Sequence, residues 1–205
     1  MKTPNRIYVS IDLDAVSYNL ENMKKNIHED TKIIAVLKAD GYGHGALPIA
    51  EHIESLPYIW GFAVACVEEG LALREGGIKK PVLILGYTFL EDYETIIKND
   101  FRPTVFTGKM AEDLSDTAKR LNKTVKIHIK LDDVPEILKI AEMPGLEVEG
   151  LFTHFARADE TDREPAYVQL ERYLKFVHAL EEKGLHVPLK HCSNSAGIIR
   201  IPEAN

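Results

Sequence analysis

The stretch TKIIAVLKADGYGHG, residues 31–45, joins an apolar run to a glycine-rich loop and decides the fold prediction. The run begins at Ile33, and a continuous apolar run is typical of a strand covered on both faces of a parallel sheet. It ends at Lys38, and three glycines follow between residues 41 and 45. Active sites of (β/α)8 barrels lie at the carboxyl ends of the strands. The stretch therefore predicts a barrel strand with Lys38 at its catalytic end.

Along the rest of the chain, short apolar runs alternate with segments of helical periodicity. This is the pattern of parallel strands joined by crossover helices. The predicted strands cover residues 7–11, 33–38, 60–65, 82–85, 103–106, 125–131, 148–154 and 188–191. The predicted helices cover residues 14–27, 46–54, 67–75, 110–121, 134–141 and 165–183.

This tally gives about seven β-units after the first helix, whereas a TIM barrel needs eight to close. We therefore predict an α/β fold, a TIM (β/α)8 barrel truncated before its eighth strand, in a single domain over residues 1–205. The alternative is a doubly wound open sheet, which would need no eighth strand.

Composition narrows the class of partner. The chain has 205 residues, 45% of them hydrophobic, and a net charge of −7, which indicates a globular domain. Its lysines form no basic stripe, so neither nucleic acid nor an anionic membrane is the expected partner. The expected partner is a small molecule. The two cysteines, Cys66 and Cys192, are too few for a disulfide framework, which favours the cytoplasm. The N-terminal residues predict neither a signal peptide nor a transmembrane helix.

The chemistry of Lys38 has two interpretations when only its position is considered. An amine at the catalytic end of a strand can act as a nucleophile and form a Schiff base with an aldehyde. Alternatively, the side chain merely extends along the end of the strand to reach water, and the glycines make a turn.

Four blocks of sequence favour the first interpretation, because they resemble motifs of the alanine racemase family in the family's order. AVLKADGYGHGA resembles its pyridoxal-phosphate motif and IYVSIDLDAVSYNL its opening segment. LEVEGLFTHFARADE and HCSNSAGIIRIPEA resemble its sixth-strand and seventh-strand motifs. The resemblance implies the N-terminal barrel of a fold-type III enzyme that uses pyridoxal 5′-phosphate to interconvert L-alanine and D-alanine. It also implies a homodimer that supplies D-alanine for peptidoglycan.

The resemblance implies a role for each residue that matches a family motif. Lys38 matches the lysine that forms the internal aldimine, and Tyr42 the tyrosine that contacts the cofactor phosphate. His154 matches a histidine that packs flat against the pyridine ring. Asn194 and Ser195 follow the seventh strand, where they match residues at the phosphate. Without the family, His154 would be a hydrogen-bonded core histidine, and the Asn194–Ser195 pair an Asx-type turn.

Lys130 matches a lysine that is carbamylated in many family members, and its alternative role is an ion pair with Asp132. No metal site is predicted, because His186, His191 and Cys192 do not match the spacing of zinc ligands.

Two departures from the family affect the predicted activity. The family takes its second base, a tyrosine, from a C-terminal β-domain of the partner subunit, and that domain has no counterpart in residues 1–205. The family's Thr-Gly-Met-rich turn with its arginine is also lacking after Asp132, so that this loop is either deleted or omitted from the sequence. The alternative to a racemase is therefore a barrel fragment or vitamin B6 carrier that binds the cofactor without turnover. A decarboxylase of the same fold is a third, weaker hypothesis.

Overall fold

Seven parallel strands in sequential order form the core of the described part of the chain. The computed structural model describes residues 7–130 and 132–205. Each strand pairs in parallel with the next along the chain. The strands are β1 (Ile33–Val36), β2 (Ile59–Val64), β3 (Val82–Ile84), β4 (Phe101–Val105), β5 (Val125–Ile129), β6 (Leu146–Phe152) and β7 (Leu189–His191). A doubly wound sheet reverses its strand order at a switch point, so the sequential order excludes that alternative.

Helices follow the strands and cover one face of the sheet. They are α1 (Leu13–Lys24), α2 (Lys38–Tyr42), α3 (Ala46–Ile53), α4 (Val67–Glu75), α5 (Tyr93–Lys98), α6 (Gly108–Arg120), α7 (Val134–Ala141), α8 (Glu164–Glu182) and α9 (Ser195–Arg200). Short 3-10 turns occur at Leu90–Asp92 and Pro202–Ala204. Between sheet and helices, Phe62, Ile84 and Ile127 are fully buried.

The other face of the sheet curls around an interior. The rings of Trp60 on β2 and His128 on β5 lie with centroids 5.5 Å apart, although two strands separate them in the sheet. Strands β1 and β7 are the edges, and a cavity of about 440 Å³ between them is lined by Ile34 and Leu189. The architecture is that of a TIM barrel with seven of its eight strands.

One predicted strand is absent from the described part of the chain. Residues 7–12 form neither strand nor helix. Ile7, Tyr8 and Val9 are 86%, 76% and 81% exposed. The segment buries too little apolar surface to offset the entropy lost when a strand becomes ordered.

Candidate active site

A cavity at the carboxyl ends of β1, β6 and β7 brings together five of the six predicted site residues. Its volume is about 510 Å³. The predicted residues that line it are Lys38, Tyr42, His154, Asn194 and Ser195. The sixth, Lys130, lines an adjacent cavity of about 560 Å³ beside Arg172.

The residues of α2 that follow Lys38 form a single left-handed turn. The φ angles of Ala39, Asp40, Gly41 and Tyr42 are +52°, +51°, +62° and +57°. Three of these residues are not glycine, and each such residue costs about 1–2 kcal/mol in this conformation. The turn places the Tyr42 ring beside the lysine, with its centroid 5.9 Å from Lys38 Nζ. Such a strained turn persists only where surrounding contacts hold it.

Two carboxylates hold the turn. Asp40 Oδ1 accepts a hydrogen bond of 2.8 Å from the amide of Ala46, at the start of α3. Glu69 on α4 accepts from the amides of Ala39 and Ala65 at 2.7 Å each. Nothing in the sequence points to Glu69, because it lies 30 residues beyond Ala39 and belongs to none of the motif blocks.

His154 lies past the end of β6, near two lysines. Burial, followed by the charges of Lys130 and Lys38, lowers its pKa below the ordinary 6.5. At neutral pH the imidazole is therefore an uncharged flat ring. Gln169 on α8 fixes this part of the rim by donating to the His154 carbonyl at 2.8 Å and to Thr153 Oγ1 at 2.9 Å.

Asn194 and Ser195 begin α9, but only the serine hydroxyl is uncommitted. Asn194 Oδ1 accepts from the Gly197 amide at 2.9 Å, and its Nδ2 donates to the Phe155 carbonyl at 3.1 Å. Asn194 is thus the N-cap of α9, as in the Asx-turn alternative. Within the described residues no side-chain hydrogen bond occupies the exposed Ser195 hydroxyl.

Lys130 lies just past the end of β5, with its Nζ 5.7 Å from the centroid of the Phe152 ring. No ion pair within 4.0 Å joins Lys130 to Asp132, although the structure describes both. The connection from β5 to α7 is short, and Asp133 caps α7 by accepting from the Glu136 amide at 2.8 Å.

Below the rim, five polar side chains form what we call the interior cluster. They are Arg102, Lys126, His128, Glu149 and His191. The cluster could not be predicted from the sequence, because charged residues that alternate along a strand normally indicate a solvated face.

Glu149 is the centre of this cluster. Its Oε2 lies 3.1 Å from Arg102 Nε, and its Oε1 lies 3.2 Å from Lys126 Nζ. His128 Nε2 is 3.5 Å from Oε2, too long for a good hydrogen bond. Burial alone would raise the pKa of Glu149, but these neighbours outweigh it and lower the pKa to about 2.

His191 connects the cluster to the cavity. Its Nε2 lies 3.0 Å from His128 Nδ1, and its ring stacks on Phe152 at 4.6 Å with an interplanar angle of 7°. Burial, followed by the nearby His128, lowers the pKa of His191 to about 3. The floor of the cavity is therefore made of uncharged, stacked rings.

Comparisons with known proteins agree with the geometry. A family model described as the alanine racemase N-terminal domain matches residues 11–205. An alanine racemase of Clostridium perfringens is 40% identical over 210 residues, which cover 96% of this chain and 54% of that protein. An alanine racemase of Caldanaerobacter subterraneus is 39% identical and is covered to 53%. The chain spans about half the length of the curated relatives it matches.

Two solved structures give the same result. The Clostridium difficile alanine racemase in complex with cycloserine superposes with a TM-score of 0.92 at 39% identity, covering 97% of this chain and 56% of that one. The Bacillus anthracis alanine racemase with bound L-Ala-P has a TM-score of 0.85 at 33% identity, covering 93% and 52%. In addition, no helix within the described residues has the length and apolarity needed to cross a bilayer.

Proposed function

The chain belongs to the alanine racemase family, and from that premise we propose that its cavity binds pyridoxal 5′-phosphate and serves the racemisation of alanine. The observation that carries the proposal is the position of Lys38, which lies two residues past the end of β1 and lines the cavity together with Tyr42, His154 and Ser195. Under this proposal residues 1–205 are the cofactor-binding barrel domain.

The residues around the cavity fit this cofactor chemically. The Lys38 amine can hold an aldehyde, and the Tyr42 and Ser195 hydroxyls can donate to phosphate oxygens. The uncharged ring of His154 suits stacking against a pyridine ring. When bound, the cofactor takes up the electron pair left behind when a proton leaves the α-carbon of the substrate.

The chain's own contribution to the reaction is one acid–base group and the positioning of the substrate. Lys38 Nζ would remove a proton from the α-carbon on one face, or return it there. Inversion needs a second base on the opposite face. We assign that base to the part of full-length relatives that this chain does not span, supplied across a homodimer. Carbamylated Lys130 would be a further member of the site.

Alanine is the proposed substrate, because the relatives compared above are alanine racemases. The proposed product is then D-alanine for peptidoglycan, and the proposed place of the reaction is the cytoplasm. The second candidate is cofactor binding without turnover. It concerns residues 1–205 taken alone, which span about half of each relative compared above.

Borohydride reduction followed by peptide mapping tests cofactor binding. The label should lie on Lys38 and should be lost in Lys38→Ala. The control is Lys130→Met, which changes the other lysine at the rim and should keep the label. A label that persists on another lysine in Lys38→Ala would refute the assignment.

Chiral chromatography with saturating cofactor separates the two candidates. We compare this chain with a version extended by a C-terminal β-domain. Because losing one member of an acid–base pair reduces the rate by about 10²–10⁴-fold, the chain alone should be slower by at least that factor. Equal turnover would place the second base within residues 1–205.

A further inference from the structure

We infer that Glu69 is a positioning residue for Lys38, which it orients by clamping the left-handed turn that follows the lysine. The inference rests on the proposed role of Lys38. Glu69 Oε1 accepts from the amide of Ala39 and Oε2 from the amide of Ala65, each at 2.7 Å. One half-buried carboxylate thus bridges the residue that follows β2, Ala65, and Ala39, which lies three positions past the end of the neighbouring strand β1.

The Ala39 amide is the point at which the backbone enters the left-handed region. Ala39 is the first residue with positive φ, and no other hydrogen bond from its amide is found within the described residues. Without that bond, Ala39 could relax to the right-handed conformation that alanine prefers. The peptide joining it to Lys38 would then rotate and change the direction of the lysine side chain.

A purely local role for Glu69 explains only half of this geometry. Glu69 is the third residue of α4, where a glutamate often accepts from amides at the helix start, and its bond to Ala65 is of that kind. The bond to Ala39 spans 30 residues and contributes nothing to the helix start. The neighbouring Glu68, by contrast, is exposed and contacts neither amide.

Glu69→Gln is the informative substitution. A glutamine keeps the shape but offers one acceptor oxygen, so its amino group faces one of the two backbone donors. Glu54→Gln is the matched control, because Glu54 Oε1 also accepts from two backbone amides, those of Lys79 and Lys80, at 2.6 and 2.8 Å. Residues 79 and 80 precede β3, so this second clamp lies at the opposite end of the barrel.

Three measurements are made on each protein. The first is hydrogen exchange of the Ala39 amide without cofactor, which Glu69→Gln should accelerate by about tenfold or more, the factor expected for one charge-assisted hydrogen bond. The second is the rate of reductive methylation of Lys38 relative to Lys130, which should change in the same variant. The third is affinity for pyridoxal phosphate, which should weaken by about tenfold.

Glu54→Gln should alter none of the three, because its one carbonyl oxygen can still accept from both amides, as Glu54 Oε1 does. Equal effects of the two variants on Ala39 exchange and Lys38 reactivity would overturn the inference.

If the wild type binds no cofactor, the proposed function fails, but the first two measurements still decide the role of Glu69. If Glu69→Gln does not fold, Glu69→Asp replaces it, because the shorter carboxylate reaches only one amide. An Asp variant that leaves Ala39 exchange and Lys38 reactivity unchanged would equally overturn the inference.

Discussion

Replacing Glu149 by glutamine tests whether the interior cluster stabilises the barrel. Glu149 and Arg102 have side-chain exposures of only 11% and 7%. A shift of the Glu149 pKa from 4.5 to about 2 corresponds to about 3 kcal/mol in favour of the folded state. Removing one partner of a buried ion pair typically costs about 3–5 kcal/mol. Arg102 keeps a second partner, Asp100, at 2.7 Å, so we expect a loss near the lower limit, about 3 kcal/mol at neutral pH.

The pH dependence gives this prediction a definite sign. The folded pKa of Glu149 lies below its unfolded value, so its stabilisation is complete above the unfolded pKa and is lost as the pH falls toward about 2. The difference in unfolding free energy between wild type and Glu149→Gln should thus be full near pH 6 and less than about half by pH 3. Urea unfolding followed by circular dichroism at stepped pH measures it.

Glu147→Gln is the control on the same strand. Glu147 is 50% exposed and lies 3.6 Å from Lys126, so its loss should cost less than about 1 kcal/mol at every pH. Equal losses for the two variants, or a Glu149→Gln difference that does not change with pH, would refute the reasoning.

The remaining predictions concern the rim, the interior and the core. Tyr42→Phe should weaken pyridoxal phosphate binding by about one to two decades, the effect of losing one donor to a charged oxygen, as measured by absorbance titration. Gly150→Ala should lower the unfolding free energy by about 1–3 kcal/mol in urea, because a Cβ there would press on the buried ring of His128. Phe62→Ala should cost about 3–5 kcal/mol in the same assay, because Phe62 is fully buried.

The sequence predicted the parallel sheet well, because continuous apolar runs reflect burial on both faces. Six helices were also predicted to within a few residues. The prediction of a strand at residues 7–11 was wrong, because its apolar residues are not buried in the described fold. Helix α5 was missed, because its six residues, Tyr93–Lys98, are too few for a helical period to be recognised.

At the site, the sequence predicts residues that carry their own motif, such as Lys38 and Tyr42, and the structure brings these two to one cavity. It could not identify Glu69 or the Arg102–Glu149 pair, because their partners lie 30 and 47 residues away and only the fold brings them together. The handedness of α2 was equally hidden, since neither Ala39 nor Tyr42 favours a positive φ.

The barrel separates two kinds of polarity along its axis. Barrel interiors are ordinarily filled by branched apolar side chains, whereas here one layer consists of charges that face each other, with Glu149 between Arg102 and Lys126. Two cations, Lys38 and Lys130, lie at the rim itself, and both lower the pKa of His154. The rim lysines are therefore placed to attract an anionic ligand, which binding measurements test. The charges in the interior stabilise the fold, which unfolding measurements test.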